Sequence, residues 1–156
     1  MDGVLADFDR MVAEVGQVDP RALQDSTLWE AVLSFPHWFS LLEPMPEAYE
    51  LMSYVCSLNV PVAILTALPR RRHIPYAEED KRQWITDHWG PMEFHVGPYA
   101  VDKQAYAQPG YVLIDDSRLN IPQWRAQGGY GILYENLLQT KLELEKILHA
   151  SPVEEK

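Results

Sequence analysis

Apolar positions along the chain alternate between a helical period and short continuous runs. Phe8, Met11, Val12 and Val15 fall at helical spacing and predict a helix over Asp7–Val15, closed by Gly16. Ala48, Leu51, Met52 and Val55 do the same over Pro46–Leu58, with Pro46 in or next to the first turn, where a missing N–H costs nothing. Val60–Thr66 is a continuous apolar run ending in a hydroxyl, which suits a strand covered on both faces. A helix follows over Ala77–Trp89, stopped by Gly90-Pro91, then a second strand at Met92–Val96. After the Pro109-Gly110 turn, Tyr111–Ile114 is a third apolar run, and it ends in Asp115-Asp116. A short helix over Ile121–Gln127 is closed by Gly128-Gly129, and Tyr130–Tyr134 gives a fourth strand. The last helix spans Leu137–His149, with Leu138, Leu142, Leu144 and Leu148 among its apolar positions, and the charged tail from Ser151 is expected to fray.

Between the first two helices, Asp19–Pro46 is dense in aromatics and prolines and reads as a small helical insertion, with Ser26 or Asp25 capping a short helix through Trp29 and Val32. Strands alternating with helices at these lengths indicate an α/β fold with a parallel sheet and helices on both faces. The expected organisation is a single domain over residues 1–156 with a small helical cap at about 16–45. In such sheets ligands bind at the carboxyl ends of the strands, where Thr66 and Asp115-Asp116 fall.

Composition narrows the function classes. With 156 residues and 47% hydrophobic content, one core is the default and no cross-links are needed. The formal charge of −10 argues against a nucleic-acid polymer or an anionic membrane as partner, since both require a basic face. Cys56 has no cysteine to pair with; its apolar surroundings predict a buried thiol and favour a reducing compartment. No apolar run reaches the roughly 20 residues of a membrane span, and no charged-then-apolar signal opens the chain, so a cytoplasmic location is expected.

The opening stretch, Met1-Asp2-Gly3-Val4-Leu5-Ala6-Asp7-Phe8, resembles the first motif of the haloacid dehalogenase (HAD) phosphohydrolases from its second position onward. That motif is a hydrophobic strand, an aspartate nucleophile, any residue, a second aspartate, then Gly and Thr or Val. The continuation Leu5-Ala6-Asp7-Phe8 resembles the 5'(3')-deoxyribonucleotidases, cytosolic type C included, and their bacterial and phage relatives. The likeness extends from Met1 to about Leu133, and its motifs are specific only in combination.

What the resemblance implies is a Mg²⁺-dependent phosphatase that hydrolyses (deoxy)ribonucleoside monophosphates through an aspartyl-phosphate. Asp2 would be general acid and then base, with its carbonyl on the metal; Thr66 would bond the phosphoryl oxygen; Lys103 would offset the transferring charge, with Lys81 as the branch's second lysine. Asp116 would be a metal ligand and Asp115 would support the metal waters. Phe8, Trp38 and Phe39, with Trp29 as a possible third to the later pair, would stack on the base and exclude a ribose 2'-hydroxyl. Ala67 departs from the animal deoxyribonucleotidases, where a Ser usually follows the threonine. Plainer readings stand beside each of these: Asp2-Gly3 as a turn, the Asp115-Asp116 pair with help from Ser117 as a helix cap, Lys81 as a solvated helix face, the aromatics as core, and Arg70–Arg72 as a solvated loop. The five histidines show no metal-ligand spacing and receive no role.

The same resemblance places the nucleophile, and a central first strand, ahead of Met1. The chain from Met1 onward is therefore expected to be inactive and the full-length form to be the enzyme, with a start misplaced at the motif's internal methionine preferred over a genuine truncation. The alternatives are a catalytically inactive nucleotide-binding or regulatory protein on the same fold, and a phosphatase of another small phosphate ester. The partner is a small-molecule nucleotide or other phosphate monoester; a homodimer is one option for the assembly.

Overall fold

A computed structural model describes residues 1–16, 35–69, 74–97 and 100–150. The helical periods become α1 (Phe8–Gly16) and α2 (Ala48–Ser57), with a 3-10 turn at Trp38–Leu41 between them. Asp7 begins α1 by accepting the Arg10 N–H at 3.0 Å, the N-cap geometry that satisfies one of the first-turn donors. Ala48, Leu51, Met52 and Val55 form the buried stripe of α2. Cys56, expected to be buried, is exposed. It follows Val55 by about 100° around a helix of 3.6 residues per turn, which carries it off that stripe. Its local apolar neighbours in sequence are not its neighbours in space, so the thiol carries no information about compartment.

Next come β1 (Ala63–Ala67), α3 (Ala77–Trp89) and β2 (Glu93–Gly97), a strand–helix–strand unit in which β1 and β2 pair in parallel with Thr66 opposite Val96. The strand begins three residues later than the apolar run predicts. Asn59 takes a positive φ of 55°, and Pro61 has no N–H to give to a ladder, so Val60-Pro61-Val62 serves as the approach to β1. A second 3-10 segment, Ala100–Tyr106, then carries Lys103. β3 (Val112–Asp115) and β4 (Tyr130–Leu133) form another parallel pair joined through α4 (Asn120–Ala126), and α5 (Leu137–Ala150) closes the described chain.

This is an α/β architecture of parallel strands connected by helices. The described residues fall into two compact units, the first ending at Lys103 and the second beginning at Gln104. Trp29 and most of the 16–45 cap lie outside the described residues, as do Arg70–Arg72. Among the described residues no helix is long and apolar enough to cross a membrane.

In the second unit, Asn136 Oδ1 accepts the Gln139 N–H at 2.9 Å and starts α5. The buried stripe of that helix is Leu137, Thr140 and Leu144, whereas Leu138, Leu142 and Leu148, expected on the apolar face, are exposed. Thr140 is tolerated inside because its hydroxyl donates to the Asn136 carbonyl at 2.9 Å. The Gly128-Gly129 stop has a packing reason: a Cβ on Gly129 would sit 2.3 Å from Trp124 Nε1. Trp124 is itself buried and donates to the Tyr111 carbonyl, so it cannot retreat. Gly129→Ala should therefore lower the unfolding free energy by about 1–3 kcal/mol. Chemical denaturation would read this as a lower midpoint, and an unchanged midpoint would mean that Trp124 repacks freely.

Candidate active site

Asp2 sits in a tightly wound turn rather than on a loose end. The Met1 carbonyl accepts the N–H groups of Val4, Leu5 and Ala6, and Gly3, at a positive φ of 72°, donates to the Ala6 carbonyl at 2.9 Å. The turn is docked on the 43–45 segment: the Asp7 N–H donates to the Glu43 carbonyl at 2.8 Å and the Met45 N–H to the Leu5 carbonyl at 2.7 Å. Met1, Val4, Leu5 and Ala6 are buried, which anchors the acidic side chain between them.

The partner of Asp2 comes from α3. That helix follows β1, so its first turns lie where the strand delivers its carboxyl end, and Lys81 reaches back across that end. Lys81 is 1% exposed. Its ammonium donates to Asp2 Oδ2, to Thr66 Oγ1 at 3.2 Å and to the Ala67 carbonyl at 2.9 Å, so all three donors are used. The Phe39 ring lies beneath it, 4.3 Å from Nζ to the centroid, and adds a cation–π contact in a dry setting. The solvated-helix reading of Lys81 is thus corrected: Glu78, Arg82 and Asp87 lie on the exposed face of α3, whereas Asp80 and Lys81 are buried.

Burial pushes the Asp2 carboxyl up, but the positive charge of Lys81, the N-terminal ammonium, the Lys81 hydrogen bond and the charge of Lys103 outweigh it and hold Asp2 below the usual carboxylate range. Lys103 is itself buried and so belongs to the electrostatic surroundings of Asp2. A folded-state value below the unfolded one means stability that is present above the unfolded pKa and lost as pH falls through the folded one. Acidification below about pH 4 should accordingly cost the parent chain more stability than the Asp2→Asn variant. Denaturation midpoints at stepped pH measure this; parallel curves for the two chains would mean that the pairing contributes nothing.

Thr66 is buried, and its hydroxyl lies 3.4 Å from the Ala67 carbonyl, a long bond for an O–H donor. Of the aromatics, Phe8 is half-buried and stacks on Phe39 at 6.0 Å, with Trp38 edge-on at 6.1 Å. Trp38 and Phe39 are fully enclosed, and Trp38 Nε1 is buried without a hydrogen-bond partner.

Asp115 and Asp116 belong to the second unit. Asp115 is buried at the end of β3, and its Oδ1 accepts the Ser117 N–H and Asn120 Nδ2, each at 2.9 Å. These bonds close an Asx turn ahead of α4, with Ser117 Oγ accepting from the N–H groups of Leu119 and Asn120; the helix's own N-cap, Leu119, makes no side-chain cap bond, so the plainer helix-cap reading is corrected to a turn. Asp116 is exposed. The structure therefore brings Asp2, Thr66, Lys81 and Phe39 together, with Phe8 and Trp38 packed on Phe39.

For a divalent cation, the donor chemistry of Asp2 fits: its Oδ1 is buried and has no hydrogen-bond partner among the described residues. Among the described residues no three His, Cys, Asp or Glu side chains gather as a cage. Mg²⁺ does not require one, since it keeps several waters and uses one or two carboxylates plus a substrate phosphate.

Sequence reasoning missed one feature, the pairing of His37 with Asp80 at 2.7 Å. These residues are 43 apart in sequence, and no spacing pattern announces them.

No curated protein sequence matches the chain. The profile of the family described as "5' nucleotidase, deoxy (Pyrimidine), cytosolic type C protein" matches residues 9–149. The match begins after the Asp2-Gly3-Val4 turn and so rests on the residues that follow it. Together with the parallel α/β architecture and the meeting of Asp2 with buried Lys81 and Thr66 at the end of β1, it establishes that the chain belongs to this family of HAD-like nucleotidase phosphohydrolases.

Proposed function

We propose that the protein removes phosphate from (deoxy)ribonucleoside monophosphates, with Mg²⁺ as cofactor. The observation that carries this reading is the meeting of Lys81, Thr66 and Asp2 in one water-poor spot at the carboxyl end of β1. A fixed cation is worth most to a charged phosphoryl group where water is excluded. Lys81 supplies such a cation, and Lys103 adds a second charge bearing on Asp2.

Thr66 Oγ1 accepts from Lys81, which leaves its own proton on the long contact to the Ala67 carbonyl, readily exchanged for a phosphoryl oxygen. Asp2 acts as general acid toward the leaving alkoxide and afterwards as base toward water. Lys81 turning from Asp2 toward a bound phosphate would weaken its hold on the ionised carboxylate and let Asp2 take up the proton it must deliver. Asp2 is the residue of the first unit assigned to Mg²⁺, which when bound would supply positive charge to the phosphoryl oxygens. Phe8, half-buried, is the ring assigned to the nucleotide's base, with the enclosed Trp38 and Phe39 packed behind it.

A second reading, nucleotide binding without turnover, is favoured by one observation: every donor of Lys81 is already satisfied within the protein. A Mg²⁺-dependent hydrolysis assay across deoxynucleoside monophosphates, ribonucleoside monophosphates and small sugar phosphates separates the two. Release of phosphate chiefly from nucleotides supports the first reading, and binding without release supports the second.

A further inference from the structure

Next to the Asp2–Lys81 centre, but not part of it, a second polar pair joins two elements of the first unit. His37 Nδ1 and Asp80 Oδ1 are 2.7 Å apart; the histidine side chain is 53% exposed and the aspartate 4%. The other Asp80 oxygen is buried and has no hydrogen-bond partner among the described residues, where His37 is the side-chain contact of that carboxylate. The imidazole also lies on the Tyr76 ring, with centroids 4.6 Å apart and planes 27° from parallel.

His37 is held at φ 58° and ψ 37°, a left-handed conformation that glycine and asparagine adopt readily and other residues rarely do. Strained backbone of this kind persists only when its surroundings over-determine it. Here the strain opens the 3-10 turn that carries Trp38 and Phe39, and the His37 carbonyl accepts both the N–H and the hydroxyl of Ser40, at 3.0 and 2.7 Å. The same segment touches α3 at two further points: Phe39 beneath Lys81, and the Leu42 carbonyl, which accepts Trp84 Nε1 at 2.7 Å. Along α3, Asp80, Lys81 and Trp84 thus meet His37, Phe39 and Leu42 in order.

We propose that His37 and Asp80 form a latch that fixes the first turn of α3 against the 37–42 segment and so holds the Lys81 ammonium between Asp2, Thr66 and the Ala67 carbonyl. They are positioning residues, acting through Lys81. Without the imidazole, a buried carboxylate would keep no side-chain partner and would draw in water, which opens the turn that carries Lys81. The link from the latch to phosphate binding rests on the function proposed above; the link from the latch to Lys81 does not.

The test uses the full chain without ligand. His37→Gly keeps the left-handed backbone and removes the donor, whereas His37→Asn keeps the backbone tolerance and returns an amide donor near the Nδ1 position. Lysine acylation by limiting acetic anhydride, resolved by residue with mass spectrometry, reports how far each ammonium is shielded. In His37→Gly, Lys81 should react about ten-fold faster than in the parent chain, as a local opening would allow, while buried Lys103 keeps its rate. His37→Asn should restore slow reaction at Lys81. An unchanged Lys81 rate, a parallel rise at Lys103, or no rescue by asparagine overturns the latch.

If His37→Gly does not fold, Asp80→Asn, which takes the charge out of the bond, replaces it, with the same selective rise at Lys81 required. Titration with inorganic phosphate gives the second readout: affinity should fall about five- to ten-fold in His37→Gly and return in His37→Asn. A parent chain that binds no phosphate contradicts the assignment of Lys81 to phosphate alone, and the acylation rates then decide the latch.

Discussion

Replacing Lys81 with methionine should lower the unfolding free energy by about 2–3 kcal/mol, although the substitution keeps most of the side-chain volume. The buried ammonium satisfies Asp2, Thr66 and the Ala67 carbonyl at once, and Asp2 Oδ1 already lacks a partner. Methionine would leave the carboxylate with neither oxygen bonded. The cost stays at the lower end for a broken buried pair because the Asp2 side chain is 30% exposed and water can take over part of the bonding. Adding Asp2→Asn to Lys81→Met should recover roughly half of the loss, since the stranded charge goes with it. Equilibrium denaturation of the two single variants and the double variant measures the coupling. Strict additivity of the two losses would mean that the pair does not act as a unit.

Much of the fold was legible because its helices and strands are separated by period. Ala77–Trp89 was read to the residue, since Gly90-Pro91 stops the helix where the pattern does. The strand pairs followed from short apolar runs with helices between them. Errors arose where neighbours in space are not neighbours in sequence. Cys56 was judged by its flanking residues and turned out to lie off the buried stripe. In α5 the leucines at 138, 142 and 148 outnumber the buried ones, and only the packed structure shows that Leu137, Thr140 and Leu144 face inward.

The candidate site was legible through motif resemblance, because Asp2, Thr66 and Lys81 are distant in sequence and ordinary one at a time. Composition pointed the other way for Lys81, which stands among Glu78, Glu79, Asp80 and Arg82 like a surface residue. What no pattern encoded was the inward turn of that one position, together with His37, whose partner lies 43 residues on. Both depend on how α3 docks on the 37–42 segment, a tertiary fact with no local signature.

The second large effect concerns Asp2. A positioned acid–base group contributes about 10²–10⁴-fold to rate, so Asp2→Asn should lower kcat by at least that order while leaving nucleotide binding within a few-fold. Asparagine keeps the shape and a hydrogen-bond acceptor for Lys81 but can neither release nor accept the proton at the bridging oxygen. A fall in binding with kcat unchanged would assign Asp2 to substrate affinity instead.

The most direct measurement is Mg²⁺-dependent phosphate release from deoxynucleoside monophosphates by the protein and its Asp2→Asn form. The account predicts turnover by the protein and a loss of about 10²–10⁴-fold on Asp2→Asn. Equal turnover by the two forms would contradict it, because the reaction would then not need Asp2.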